Sequence, residues 1–315
     1  MRRDSVLPSD LRRWTKLALA RYRVVAGHKM GQHFLVDQEV LSDMVAAARL
    51  TPDSRILEVG GGLGVLTSAL IARAKRVVVV ELDRRLVVAL NKIGVGSANL
   101  TVIAGDIIQV PAAAIKKALG LDGQNDFDIV ANLPYEITGA LVQRFLWGDL
   151  LPRSLTLLIQ REVAERMSAK PGQMSLLSLS CQLKGTVKIL RSVPPSAFWP
   201  PPKVQSSIVR LDLRPAQDFA ALLAGQSIEV VWRLARLGFA ARRKLLVNNL
   251  ASALPVTKEK ILQLMIKSQL TVHSRAQELS PAQWLNLARA FGEALPPNFW
   301  RGHSSKNYSP PLAIA

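Results

Sequence analysis

The chain predicts an α/β fold with a mostly parallel sheet and helices on both faces, followed by a smaller all-α C-terminal domain. Three observations support this. Short runs rich in β-branched residues alternate with helical periods between residues 37 and 160, the order that builds a parallel sheet. Several of those runs end in a glycine, a carboxylate or an amide, as expected where open α/β sheets bind ligands. Beyond Pro215 the β-branched clusters disappear, and helical periods with a basic surplus run from Phe219 to Phe291.

The elements follow in order. Val40, Leu41, Met44, Val45 and Ala48 recur at helical spacing within Asp37–Leu50. Pro52-Asp53 marks a turn, and Arg55–Val59 reads as the first strand. A glycine loop, Gly60–Gly64, leads into a helix over Val65–Ala74. Arg76–Leu82 is a second, buried strand, and Arg84–Lys92 its helix. Leu100–Ile103, Phe127–Ala131 and Ser154–Ile159 read as the third, fourth and fifth strands. Val193–Pro202 is a proline-stiffened loop, and Ser206–Leu213 alternates like a strand. The expected division is a basic arm over 1–28, an α/β domain over 29–214, a helical domain over 215–297 and a tail over 298–315.

Composition narrows the partners. The chain has 315 residues and a net charge of +18, so an anionic partner is expected and nucleic acid leads. The segment through Lys29 carries eight basic residues against Asp4 and Asp10, which suits an arm touching RNA phosphates. An organellar transit peptide is the alternative, disfavoured by those acids and by few serines. No apolar run approaches the roughly 18–20 residues that span a bilayer, so no membrane is expected. Cys181 is the sole cysteine, which excludes an intrachain disulfide and fits a reducing compartment; the cytoplasm is the expected location. His28, His33, His273 and His303 lack metal-ligand spacing, and no metal is expected.

Asn132-Leu133-Pro134-Tyr135 directly follows the fourth strand. The Asn132 side-chain oxygen and the Leu133 carbonyl suit two acceptors for one amino group, Pro134 stiffens the corner, and Tyr135 offers a stacking face. Such a corner fits a nucleobase with an exocyclic amine. Gly60-Gly61-Gly62-Leu63-Gly64 departs from the dinucleotide spacing G-x-G-x-x-G and suits a nucleoside cofactor without a pyrophosphate, such as S-adenosylmethionine. Glu81 ends the second strand, where an acid accepts from ribose hydroxyls; by itself it fits NAD equally. Asp106 ends the third strand and can accept from an adenine amine. Asp83 also suits a simple helix cap.

With these residues in view the chain resembles the ribosomal RNA adenine dimethyltransferases of the KsgA type. The resemblance spans about Lys29 to Phe291 and is carried by an ordered set: Gly31-Gln32-His33-Phe34-Leu35, Glu58–Leu66, Glu81-Leu82-Asp83, Gly105-Asp106, Asn132–Tyr135, Gln160-Arg161-Glu162-Val163, Val193–Phe198, Pro200–Val204, Arg242-Arg243-Lys244 and Arg275–Ser280. It implies a Rossmann-like class I methyltransferase fold with S-adenosylmethionine as cofactor. It implies that His33, Leu35, Gly60, Gly62, Glu81, Asp106 and Asn132 hold that cofactor. Asn132, Leu133, Pro134 and Tyr135 would form the catalytic corner, with Phe198 facing Tyr135 across the target adenine. Arg161, Lys203, Arg242, Arg243 and Lys244 would grip RNA. The implied reaction is dimethylation of two adjacent adenosines in a 3′-terminal hairpin loop of small-subunit ribosomal RNA, on the naked RNA or the immature subunit, by a monomer.

Four departures stand out. His33 replaces the family's usual Asn, Gly61 its Pro, Glu136 its Asn after the tetrapeptide, and Met174-Ser175 a Tyr-Gly pair. Three other readings compete: a binding or assembly protein on a methyltransferase scaffold, a large-subunit methyltransferase, and a nicotinamide dehydrogenase. Tyr135 rather than Phe argues against the second. The glycine spacing argues against the third.

Overall fold

The computed structural model describes residues 10–24, 32–121, 126–296 and 300. The rest of the expected N-terminal arm, including His28, and the tail beyond 300 lie outside the described residues.

Nine strands are present among these: β1 (Phe34–Leu35), β2 (Arg55–Val59), β3 (Arg76–Glu81), β4 (Leu100–Ala104), β5 (Asp128–Asn132), β6 (Ser154–Gln160), β7 (Gly185–Val193), β8 (Phe198–Trp199) and β9 (Ser206–Leu213). The helices of the first half are α1 (Leu11–Arg21), α2 (Gln38–Ala47), α3 (Val65–Ile71), α4 (Arg84–Ile93), α5 (Ala112–Leu119), α6 (Thr138–Trp147), α7 (Arg161–Met167) and α8 (Leu176–Lys184). They are followed by α9 (Ala216–Leu223), α10 (Ile228–Phe239), α11 (Leu246–Ala251), α12 (Lys258–Lys267) and α13 (Pro281–Ala294).

Seven strands form one sheet in the order β4-β3-β2-β5-β6-β9-β7. β2 through β6 run parallel, and β9 pairs antiparallel with β6. The Rossmann-like α/β expectation therefore holds. Val77 to Val80 on β3 are at most 2% exposed, because a parallel strand with helices on both faces has no wet side. Side-chain caps start the helices: the Asp37 carboxylate accepts from the Glu39 and Val40 amides, and Asp83 accepts from Arg85.

The chain groups into two compact units, and the division differs from the linear one expected. Residues up to 164 with 187–213 form the α/β unit, while 165–186 join 214 onward. The physical reason lies in α8, which packs on α10 and α13, and in the Gln277 carbonyl, which accepts from the Gly172 and Met174 amides. Met174 is buried there, and Ser175 caps α8 through reciprocal bonds with Ser178. The helical unit is built around Trp232, Trp284 and Phe291, all at most 1% exposed.

A second difference concerns the N-terminal segment. Expected as an arm, it contains α1, whose Leu11, Thr15, Ala18 and Leu19 are buried. That spacing is a helical stripe, legible in the sequence but masked there by the density of basic residues.

Candidate active site

The chain runs from β2 outward through β3 and β4, then returns to lay β5 and β6 on the other side of β2. The crevice beyond β2 and β5 is thus a topological switch point, where open α/β sheets bind ligands. Four candidate residues stand at adjacent strand ends in spatial order: Asp106 after β4, Glu81 on β3, Gly60 after β2 and Asn132 on β5. Backbone bonds tie these ends together: the Gly105 amide donates to the Glu81 carbonyl and the Gly60 amide to the Val80 carbonyl, each at 2.9 Å.

A cavity of about 80 Å³ opens there, lined by residues that include Gly60, Gly62, Glu81, Asn132, Tyr135 and Phe198. His33, Leu133 and Pro134 line it too, and so do Gln32, Phe34 and Leu86, which sequence reasoning did not assign. A larger cavity, about 560 Å³, lies along α2 and α3, but no carboxylate or aromatic lines it. Chemistry rather than size identifies the site.

Gly60 and Gly62 have φ of +72° and +56°, a region that side chains avoid. A Cβ on Gly60 would stand 3.9 Å from the Asn132 carbonyl oxygen, and one on Gly62 would press on the Phe34 ring at 3.4 Å. Gly61 is constrained differently. A Cβ there would lie 2.6 Å from Val79 and 2.9 Å from Leu90, both fully buried, so the proline usual in the resembling family does not fit behind this loop.

Glu81 is 6% exposed. Its two carboxylate oxygens accept from the Gly62 and Asp83 amides, each at 2.9 Å. Burial raises its pKa, and the Asp83, Gly62 and Leu82 amides oppose that. A carboxylate has about four acceptor positions, more than these amides occupy, so capacity remains for a ribose hydroxyl. Asp83 caps α4, as one reading of the sequence held, and its carboxyl lies below the usual range because Arg85 bonds to it.

Asn132 is oriented by the residue just before β1. Its Nδ2 donates to the His33 carbonyl at 3.1 Å, which turns its acceptor oxygen the other way. The Leu133 amide donates to the Leu158 carbonyl at 3.1 Å and fixes the corner to β6. The Tyr135 hydroxyl meets Ser206 Oγ at 3.0 Å, and its ring lies 5.6 Å from that of His33 at 31°. His33 Nδ1 donates to the Pro200 carbonyl at 2.7 Å. The imidazole that departs from the expected Asn thus ties the segment before β1 to the proline loop.

Two expected cofactor residues stand apart from the cavity. Leu35 is in the core, paired with Phe198 across β1 and β8, and does not line the cavity. Asp106 is half-buried and accepts from the Ile108 amide at 2.9 Å as the start of a turn. It flanks Glu81 on the sheet edge without lining the cavity. Phe198 is 1% exposed and does line it.

Of the expected RNA contacts, Arg161 is exposed at the start of α7, with its Nη1 3.1 Å from Gln205 Oε1, and Lys203 is exposed before β9. Arg242, Arg243 and Lys244 are exposed in the turn between α10 and α11. Asn249 pins that turn, its Nδ2 donating to the Gly238 and Ala241 carbonyls at 2.6 and 3.0 Å. Among the described residues no group of His, Cys, Asp and Glu could hold a metal.

The ribosomal RNA adenine dimethylase family model matches residues 26–293. The chain belongs to that family. Among its relatives, the ribosomal RNA small subunit methyltransferase A of Dehalococcoides mccartyi is 40% identical over 273 residues, which is 86% of this chain and 90% of that protein. The protein of the same name from Synechococcus sp. is 40% identical over 278 residues, 86% and 97% of the two chains. A dimethyladenosine transferase from Plasmodium falciparum superposes with a TM-score of 0.69 at 25% identity, over 83% of this chain and 98% of that one. The 23S rRNA methyltransferase ErmE, at 24% identity and a TM-score of 0.62 over 82% and 98% of the two chains, shares the fold. As a ribosomal RNA adenine dimethylase this chain is an rRNA adenine dimethyltransferase, and the family uses S-adenosylmethionine. The site fits that donor: Gly60 leaves room beside Asn132 that a Cβ would enter, and Glu81 keeps acceptor capacity for a ribose.

Proposed function

We propose that this enzyme dimethylates the exocyclic nitrogens of two adjacent adenosines in a hairpin loop near the 3′ end of small-subunit ribosomal RNA, during maturation of the subunit. We assign it to the cytoplasm, acting as a monomer. The observation that carries this reading is the fixed amide of Asn132: with Nδ2 held by the His33 carbonyl, its oxygen is the acceptor left for an incoming amine. The names of the bacterial relatives support the small-subunit substrate.

S-adenosylmethionine, when bound, supplies a methyl carbon on a positively charged sulfur. Glu81, Gly60, Gly62 and His33 bind it, with Asp106 beyond Glu81 on the sheet edge. Asn132 Oδ1 and the Leu133 carbonyl accept both hydrogens of the adenine amine, which draws the nitrogen lone pair out of conjugation with the ring. Pro134 keeps the two acceptors in register. Positioning of this kind is worth up to about 7–11 kcal/mol in well-oriented systems. No strong base is needed, because the amine proton becomes acidic only as the new bond forms.

The cavity holds about 80 Å³ in this structure, and Tyr135 and Phe198, which both line it, flank the entering base. Extruding a base costs a few kcal/mol, least in a loop, and stacking returns about 1–3 kcal/mol. That balance favours a hairpin loop over a duplex.

Asn132→Ala tests the reading. Labelled-methyl transfer into undermethylated small subunits, with the product nucleoside identified by mass, should fall to background while RNA affinity stays at the parent level. Retained transfer, or equal loss of RNA binding, would remove Asn132 from the catalytic corner.

A further inference from the structure

Helix α1 precedes the stretch matched by the family model, which begins at residue 26, and none of the site residues above lies on it. Ala18 and Leu19 pack in one cluster with Phe34, Leu63 and Leu86, and Phe34 and Leu86 line the cavity. The opposite face is basic. Arg13, Lys16 and Arg21 are exposed, and Asp10 caps the helix by accepting from the Arg13 amide.

The cations are braced on aromatic rings. Lys16 Nζ stands 4.2 Å from the centroid of the Trp199 ring and the Arg12 guanidinium 5.8 Å from it, while Arg12 also donates to the Ser196 carbonyl. At the other end of the helix, Arg21 and Lys92 approach the Tyr22 ring at 6.0 and 5.3 Å. Among the described residues neither Arg12 nor Lys16 forms an ion pair. Trp199 packs against the cluster that holds Phe34 and Leu86, which line the cavity, so these charges are tethered beside the cavity wall.

We infer that α1 and Trp199 form a phosphate-binding ledge for the RNA strand flanking the extruded adenosine. The inference rests on the RNA-methylating function proposed above and adds a contact surface to it. A nucleotide whose base enters the cavity carries its phosphates to the rim, which is where Lys16 and Arg12 are held. Bracing on an indole confines side chains that would otherwise lose rotamer freedom on binding. Arg12 to Arg21 spans about 14 Å along the helix, room for several successive phosphates.

The test uses the full chain with Lys16→Glu and Lys16→Arg, undermethylated small subunits as the RNA probe, and calorimetry with S-adenosylmethionine alone. Lys16→Glu should weaken RNA binding several-fold at low salt and lower the slope of log affinity against log salt by about 0.7–0.9. KM for RNA should rise with kcat and cofactor affinity unchanged, and Lys16→Arg should restore the parent slope. An unchanged slope in Lys16→Glu overturns the ledge, including the case in which cofactor affinity drops and α1 proves to be only a brace. The methyltransferase reading fails on different data, namely transfer that survives Asn132→Ala.

Discussion

Glu58, two residues before Gly60, has a fully buried carboxyl whose oxygens lack hydrogen-bond partners. Burial pushes its pKa up to about 8; the Thr67 hydroxyl, close but outside good hydrogen-bond geometry, opposes this, and the neighbouring Glu81 adds to it. The folded protein therefore holds a proton that the unfolded chain releases near pH 4.5. Stability at this position is fully present below pH 4.5, falls as pH rises and levels off above about 8, at about 1.4 kcal/mol per pH unit between those limits. Glu58→Gln removes the titration. Denaturant midpoints across that window should show the variant gaining on the parent with rising pH, and parallel curves would show that Glu58 ionises freely. The glutamate was visible beside the glycine loop from the sequence, but its neutral state depends on the packing around it.

At the scale of elements, strands were the most legible. Arg55–Val59 and Ser206–Leu213 begin and end where the β-branched patterns do, because buried strands are bounded by the turns that punctuate them. Helix α1 was less legible as a docked element, since its apolar stripe only acquires meaning once Phe34 and Leu86 lie beneath it. The turn carrying Arg242, Arg243 and Lys244 was recognised as basic, whereas its anchor Asn249 was not. An Asn in a helical period carries no signal until the carbonyls of Gly238 and Ala241 converge on it. Asn249→Ala leaves both carbonyls without that donor. It should cost about 1–3 kcal/mol in a denaturation titration and also weaken RNA binding, because the cationic turn loses its fixed shape. A stability loss with unchanged RNA affinity would detach this turn from the substrate.

For the whole molecule, the net charge of +18 sets how it meets RNA. Affinity should fall steeply with salt, because each phosphate neutralised releases counterions. Arg242→Glu with Arg243→Glu should lower the salt slope by about 0.7 per single-strand contact removed, or about 0.9 on duplex. The readout is a series of RNA-binding titrations at increasing salt; a slope equal to the parent's would exclude this turn from the interface. The expected linear boundary near residue 215 shows what chain order hides. Residues 165–186 precede β9 yet belong to the helical unit, because the apolar face of α8 is buried by α10 and α13.

Local patterns alone determined that this chain alternates strand and helix, that glycine, acid and amide fall at strand ends, and that those motifs follow the order of an adenine dimethylase. Periodicity and turn chemistry act over a few residues, so a single sequence carries them. The tertiary structure decided that Asp106, Glu81, Gly60 and Asn132 stand side by side, since strand order is set by packing between distant segments. It also decided that Leu35 and Asp106 stand outside the cavity, that His33 orients Asn132, and that a basic helix braces the cavity wall. Each of these depends on contacts between residues far apart in the chain, whose energies no local window contains.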